Sequence, residues 1–227
     1  MTLSGTTNFW TNTEAIDVIV EAYERIGMVG GQISGNQMES AIRSLQYLFG
    51  EYSNKGINLW KVSLLNTALT TAQSTVTLGS NVIEVLQVYT RTTSGGTNND
   101  LILTPISRAE YAALPNKAQQ SNRPTQYYFE RTITPTLYLW QLPQDATVTL
   151  YYYVMTMQDD IGALSNTIDA PQRWADAIAA GLAAKLAVKF APERLGDLQA
   201  LADKSFMAAT IEDTENVPMR ITPNLMG

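Results

Sequence analysis

Hydrophobic positions change period twice along the chain, and the changes mark out its elements. Over 13–26, Ile16, Ile19, Val20, Tyr23 and Ile26 recur at helical spacing and predict a first helix. Thr11 and Glu14 stand before it at capping-box spacing, and Gly27, Gly30 and Gly31 follow it as stops. A second helix is predicted over 37–53, where Met38, Ala41, Ile42, Leu45, Leu48, Phe49 and Tyr52 form one stripe. Asn36 and Glu39 supply its capping box and Gly56 its end; the short glycine-rich link implies that the two helices are antiparallel neighbours.

From Ile57 the period falls to two. Strands are predicted over 59–64, around Trp60, Val62 and Leu64, with Val76 and Leu78 continuing, and over 82–91, 101–104, 126–131, 137–142 and 147–156. The stretch 92–100, Thr-Thr-Ser-Gly-Gly-Thr-Asn-Asn-Asp, reads as a polar loop with no packing residues. Ser107 and Glu110 cap one short helix carrying Tyr111 and Leu114, and 143–146 make a tight turn. This region reads as a small antiparallel β-sandwich or barrel.

After Asp159 and Asp160 the helical period returns. Pro171 suits the first position of a helix reaching Phe190, whose buried stripe is Trp174, Ile178, Leu182 and Leu186 and whose other faces are rich in alanine. Pro192 opens a last helix with Leu195, Leu198, Leu201, Ala202, Ser205 and Phe206 on one side. Pro218 and Pro223 keep 213–227 from continuing that helix. The predicted class is α+β: an antiparallel-helix bundle built from 1–56 and 159–212, an inserted β domain over 57–158, and an extended arm over 213–227.

Composition narrows the chemistry. With 227 residues, 45% hydrophobic and 16% charged, the chain can bury a sizeable core, and few surface ions need desolvating when a partner covers it. It contains no histidine and no cysteine, which removes Ser-His-Asp triads, thiolate nucleophiles and the usual zinc ligand sets, and fits either assembly in a reducing cytoplasm or a particle that does without redox chemistry. No Gly-x-Gly-x-x-Gly, P-loop or EF-hand spacing occurs, so no cofactor or metal is expected. The net charge of −6, without a basic run, argues against gripping DNA and suits a conduit that repels it. The start of the chain has no basic residue ahead of a long apolar run and is not read as a signal peptide; the most apolar stretch, 174–190, is interrupted by Asp176, Lys185 and Lys189, so no membrane span is expected.

Four constellations remain. Ala177, Gly181 and Ala184 make a small-residue face that serves either close packing within the chain or a contact between subunits. Tyr127, Tyr128, Phe129, Tyr138, Trp140, Tyr151, Tyr152 and Tyr153 are too many for one core; strand alternation turns some outward, Tyr151 and Tyr153 among them, towards an interface, plain sheet packing or a sugar. Glu110, Glu130, Asp159 and Asp160 are the only loosely placed carboxylates for glycoside hydrolysis, and solvated loops or helix ends explain such acids equally. In the tail, Val217, Met219 and Ile221 alternate around Arg220, with Leu225 and Met226 beyond; this is either a frayed end or an arm laid along a partner.

One resemblance orders these pieces. Leu-Ile-Leu-Thr-Pro-Ile-Ser-Arg-Ala-Glu-Tyr from Leu101, Arg-Pro-Thr-Gln-Tyr-Tyr-Phe-Glu-Arg from Arg123, Leu-Tyr-Leu-Trp-Gln-Leu-Pro from Leu137, Pro-Gln-Arg-Trp from Pro171 and Phe-Ala-Pro from Phe190 follow in the order of a known family. The chain resembles the head-to-tail adaptor proteins of short-tailed bacteriophages, also called tail tubular or portal-accessory proteins, over nearly its whole length. The resemblance implies a virion protein at the head–tail junction, assembled in the host cytoplasm; no enzyme activity is expected, because the sequence lacks histidine, cysteine and a convincing acidic pair. It implies a ring of twelve copies below the portal, with the tail nozzle beneath and double-stranded DNA passing through the lumen unbound. The subunit contacts would then draw on Ala177, Gly181, Ala184, Tyr151 and Tyr153, and the arm carrying Val217, Met219, Arg220, Ile221, Leu225 and Met226 would reach the portal. A peptidoglycan hydrolase using paired carboxylates, and a sugar-binding β module for host attachment, are the alternatives.

Overall fold

The structure, a computed structural model, describes residues 13–29, 31, 33–55 and 61–212. It is mixed α+β, with five α-helices among the described residues and sheets that are mainly antiparallel, and the chain divides into two compact units. One takes residues from both sides of the chain, up to Ile57 and from Asp159 onward; the other is Asn58–Gln158.

In the helical unit, α1 (Ala15–Arg25) and α2 (Gly35–Asn54) come first. The α1 cap is formed by Glu14 and Asp17, since the Glu14 N–H donates to Asp17 Oδ2 at 3.3 Å; Thr11 lies outside the described residues. Its buried face is Ala15, Val18, Ile19, Ala22 and Tyr23, while Ile16 and Val20 are half-buried. Small Ala15 and Ala22 pack where the stripe of large residues pointed one position away. The α2 box is Ser34 with Gln37 rather than Asn36 with Glu39: Ser34 N–H donates to Gln37 Oε1 (2.7 Å) and Gln37 N–H to Ser34 Oγ (3.4 Å). Both spacings qualify by sequence, and the one closer to the chain's entry into the helix is used.

After a 3-10 turn at Gln172–Trp174, with Pro171 as its cap rather than its first residue, comes α4 (Ala175–Phe190). It packs against α1, α2 and the last helix, α5 (Leu195–Glu212), which follows a second 3-10 turn at Pro192–Arg194. Trp174, Ile178, Leu182 and Leu186 are buried as their spacing predicts, and so are Ala177, Ala179, Ala180, Ala183, Ala184 and Ala187. Alanine on every other face lets three helices approach one. On α5, Leu198 and Ala202 are buried but Leu201, expected on the packed side, is exposed.

The β unit holds β1 (Val62–Ala68), β2 (Thr75–Thr77), β3 (Val82–Ser94), β4 (Thr97–Ile102), β5 (Thr104–Pro105), the short helix α3 (Arg108–Ala113), β6 (Gln120–Ser121), β7 (Gln126–Glu130), β8 (Thr136–Trp140), β9 (Leu142–Pro143) and β10 (Val148–Thr156). One sheet runs β1-β10-β3-β4, a second β2-β8-β7-β5, and β6 pairs with β9. The two-residue pairings β5–β7 and β6–β9 are parallel, unlike the all-antiparallel pattern expected. Inward residues of both four-stranded sheets meet in one cluster that includes Val76, Val88, Leu137, Leu139, Leu150, Tyr152 and Val154. Strand alternation puts Val148, Leu150, Tyr152 and Val154 of β10 there and sends Thr149, Tyr151 and Tyr153 to the other face.

Several boundaries differ from expectation. The first strand begins at Val62 and runs to Ala68; Leu59 and Trp60 lie outside the described residues. Stretch 137–142 is two strands, Thr136–Trp140 and Leu142–Pro143. The largest correction is 92–100, which is not a loop: β3 runs to Ser94 and β4 starts at Thr97, in register from Ser94 opposite Thr97 to Tyr89 opposite Ile102. Gly95 and Gly96 have φ of 58° and 82°. Two successive left-handed residues fit the tight turn whose twist matches paired strands, so a polar sequence folds as a hairpin. Thr93 Oγ1 donates to Asn98 Oδ1 (2.8 Å), and Arg91 forks onto Asp100 through Nε and Nη2, each at 2.7 Å.

Candidate interaction surfaces

Three of the residues read as a subunit face lie inside the helical unit. Ala177 and Ala184 are buried, and a Cβ on Gly181 would stand 2.6 Å from Tyr52 Oη and 3.0 Å from Leu48 Cδ1. Of the two uses open to the alanine helix, close packing within the chain is the one this geometry displays. Tyr52 is fixed there by its hydroxyl, which donates to Ala177 O at 3.0 Å, and by the rings of Trp174 and Phe206 at 5.7 and 4.9 Å. Burial raises its pKa well above the usual tyrosine value.

Tyr151 and Tyr153 sit on the outward face of the sheet β1-β10-β3-β4, half-buried. Tyr151 stacks on its β3 partner Tyr89, with ring centroids 5.1 Å apart and planes within 7°. Arg91, already forked by Asp100, lies 4.7 Å from the Tyr151 ring centre. Tyr153 faces Leu64 of β1. Around these rings the face mixes aromatic and aliphatic side chains with polar ones such as Thr149 and Gln87, and Arg91 is neutralised beside them by Asp100. Tyr127 and Tyr152 are core residues. Tyr128 and Tyr138 form a trio with Tyr111 of α3, centroids 5.4–5.7 Å apart, and Trp140 Nε1 donates to Asn116 O at 3.0 Å.

The four carboxylates are spread over both units: Glu110 and Glu130 belong to the β unit, Asp159 and Asp160 to the helical one. Glu110 caps α3 as its sequence predicts. Its Oε2 accepts the Ser107 N–H at 2.7 Å, and that bond, with the Ser107 hydroxyl, lowers its pKa. A carboxyl held ionised by backbone donors is poorly suited to act as a general acid. Glu130 Oε2 accepts the Tyr138 hydroxyl at 3.1 Å. Among the described residues no three or more carboxylates gather where a metal ion could sit, and no helix is long and apolar enough to cross a membrane.

The helical unit has a groove of about 580 Å³ between α1, the start of α4 and the end of α5, lined by Val18, Glu21, Arg25, Arg173, Asp176 and Ala179 among others. Its polar wall is internally paired: Asp176 accepts from Ser205 Oγ (2.6 Å) and Arg25 Nη2 (2.8 Å), and both interactions lower its pKa. Val217, Met219, Arg220, Ile221, Leu225 and Met226 lie outside the described residues.

No interaction role was expected of the two edges of the sheet that carries Tyr151. Leu64 and Leu65 on β1, and Leu101 and Ile102 on β4, are exposed. A pair of adjacent aliphatics within an otherwise polar edge strand is the signal that was available for them.

A family match assigns these surfaces to a structural component of a bacteriophage, an adaptor protein. The family model for SU10 adaptor proteins, a phage head–tail adaptor family, matches residues 5–222, and the chain is a member of that family. Membership places it in the virion among other structural components. No curated protein matches the chain.

Proposed function

We propose that this protein is a non-catalytic head–tail adaptor that forms a ring, of twelve copies by its resemblance to short-tailed phage adaptors. The ring docks onto the portal, receives the tail nozzle below, and continues the channel through which DNA leaves. The match to the SU10 adaptor family across residues 5–222 carries this reading. The organisation that goes with it is a bundle of helices from 1–56 and 159–212, a β-sandwich inserted over 57–158, and a portal-reaching arm over 213–227. The net charge of −6 supports a lumen that DNA slides through without the phosphate contacts that make binding salt-dependent. Against the hydrolase alternative stands Glu110, whose carboxylate is committed to a helix cap. Tyr151 and Tyr153 are the subunit-contact candidates that remain on an outward face. The test is native mass spectrometry of purified protein mixed with its portal. A closed ring of adaptor added to the portal is the expected mass; no added mass refutes the proposal.

A further inference from the structure

Among the described residues, the sheet β1-β10-β3-β4 has two outer strands with the same uncommon feature: two consecutive large aliphatic side chains left exposed. Leu64 and Leu65 on β1 are 42% and 40% exposed, and Leu101 and Ile102 on β4 are 38% and 64% exposed. Consecutive strand residues point to opposite faces, so no layer laid on one face covers both members of a pair; another strand alongside does. β1, Val-Ser-Leu-Leu-Asn-Thr-Ala, has no charge and no proline, and its register with β10 is unbroken. It lacks the devices that keep a free edge from pairing. The only charged side chain of β4, Asp100, is neutralised in its own copy by Arg91.

We propose that β4 of one copy pairs antiparallel with β1 of the next, so that this sheet runs on from copy to copy around the ring. The inference rests on the ring reading above and names its joint. All three pairings within the sheet are antiparallel, so β1 and β4 of one copy run in opposite directions. Repeating the sheet head to tail therefore brings β4 beside the next β1 in antiparallel sense. Such a contact uses one edge of each kind per copy and can close, whereas a two-fold contact between β1 edges leaves both β4 edges bare.

Backbone parity selects a register. Leu69 N–H donates to Val148 O (2.9 Å), so alternation along β1 aims the amide and carbonyl groups of Leu64, Asn66 and Ala68 at the free edge. Leu103 N–H donates to Val88 O (2.9 Å), which aims those of Asn98, Asp100 and Ile102 outward from β4. Arg123 Nη1 reaches the carbonyl of Asn99 (3.3 Å), a residue whose backbone faces β3. One register sets Leu64 opposite Ile102, Asn66 opposite Asp100 and Ala68 opposite Asn98, offering about six backbone hydrogen bonds at two per facing pair. The same register places Leu65 opposite Leu101. Side-chain faces agree as well. Leu64 shares a face with Tyr153 and Ile102 with Tyr89, on the outward side, while Leu65 and Leu101 lie beside Tyr152 and Thr90 on the core side. A slip of two residues breaks both aliphatic pairs.

The absence of native cysteine makes the test direct. Thr67→Cys with Asn99→Cys puts two thiols at a facing pair of the non-hydrogen-bonded kind, where Cα atoms stand about 4.5 Å apart, within reach of a disulfide. In a single copy the two strands are three spacings apart, about 14 Å, and cannot be bridged. Mild oxidation of the portal-bound double variant is expected to give a ladder of covalent multimers on a non-reducing gel, lost on reduction. Either single variant stops at dimer, and the out-of-register pair Thr67→Cys with Thr97→Cys loses the ladder. Leu65→Cys with Leu101→Cys, the neighbouring pair of the same kind, repeats the test if the first variant misfolds. A ring of full mass that gives no ladder with either pair overturns the sheet continuation and leaves the ring standing. Failure of the unmodified chain to assemble on its portal overturns both.

Discussion

Gly181 shows how one missing atom organises the helical unit. An added Cβ would meet the Tyr52 hydroxyl at 2.6 Å, and that ring cannot retreat because Ala177 O, Trp174 and Phe206 hold it. Gly181→Ala improves helix propensity by about 1 kcal/mol, but overpacking a well-filled site costs ~1–3 kcal/mol. The variant is expected to be the less stable protein, with a melting temperature lower by about 2–4 °C per kcal/mol of net loss, measured by calorimetry. Tyr52 itself makes stability depend on alkaline pH. Its folded pKa lies above the unfolded value of 10.0 because burial disfavours the phenolate. Above pH 10 the unfolded chain has lost a proton that the folded one keeps, so stability falls as pH rises. Below that value its contribution is fully present. Tyr52→Phe is expected to flatten the decline above pH 10, at a constant cost of ~0.5–1.5 kcal/mol for the lost hydrogen bond. Denaturant titrations from pH 8 to 11 compare the slopes, and an unchanged slope would sink this account.

At the scale of elements, the instructive case is the β3–β4 hairpin. Its arms carry Thr92, Thr93, Ser94, Thr97, Asn98, Asn99 and Asp100, a composition that reads as loop because none of these side chains needs a core. The hairpin forms because two adjacent glycines turn the chain and because its polar side chains pair with each other across it. A left-handed conformation costs a residue with a Cβ ~1–2 kcal/mol, so Gly95→Ala with Gly96→Ala should loosen β4. Amide exchange over 97–102 is expected to quicken roughly tenfold for each 1.4 kcal/mol, while β10 keeps its protection. Equal acceleration in β10 would show instead that the hairpin is required by the whole sheet. The short helix α3 is the opposite case: Ser107 and Glu110 formed the predicted capping box because that motif is satisfied entirely by residues three apart.

For the whole molecule, the remaining prediction concerns the arm. Val217, Met219, Ile221, Leu225 and Met226 would each gain ~1.5–3 kcal/mol on burial, against ~1–2 kcal/mol per residue for ordering the backbone. A partner groove that takes both side chains and backbone satisfies this balance. Truncation after Glu212 is expected to leave a folded chain that binds its portal weakly; full-strength binding by the truncated chain contradicts the arm. Much of this architecture was legible in the order of residues. The helical stripe Trp174, Ile178, Leu182 and Leu186, the alternation that divides Tyr151 and Tyr153 from Tyr152 and the mixed α+β class follow from spacing, because periodicity is a local property of the chain, while the adaptor family was legible only through resemblance to known members. The rest depends on which distant surfaces meet. Nothing near Gly181 in sequence reveals that Tyr52 will lie against it, and the sequence around Ala177 and Ala184 leaves packing within the chain and a contact between subunits both open. That β1 and β4 become the two edges of one sheet, each with a bare aliphatic pair, was decided only when β10 and β3 paired between them. Strand order is set by long-range backbone hydrogen bonding, which leaves no period in the sequence.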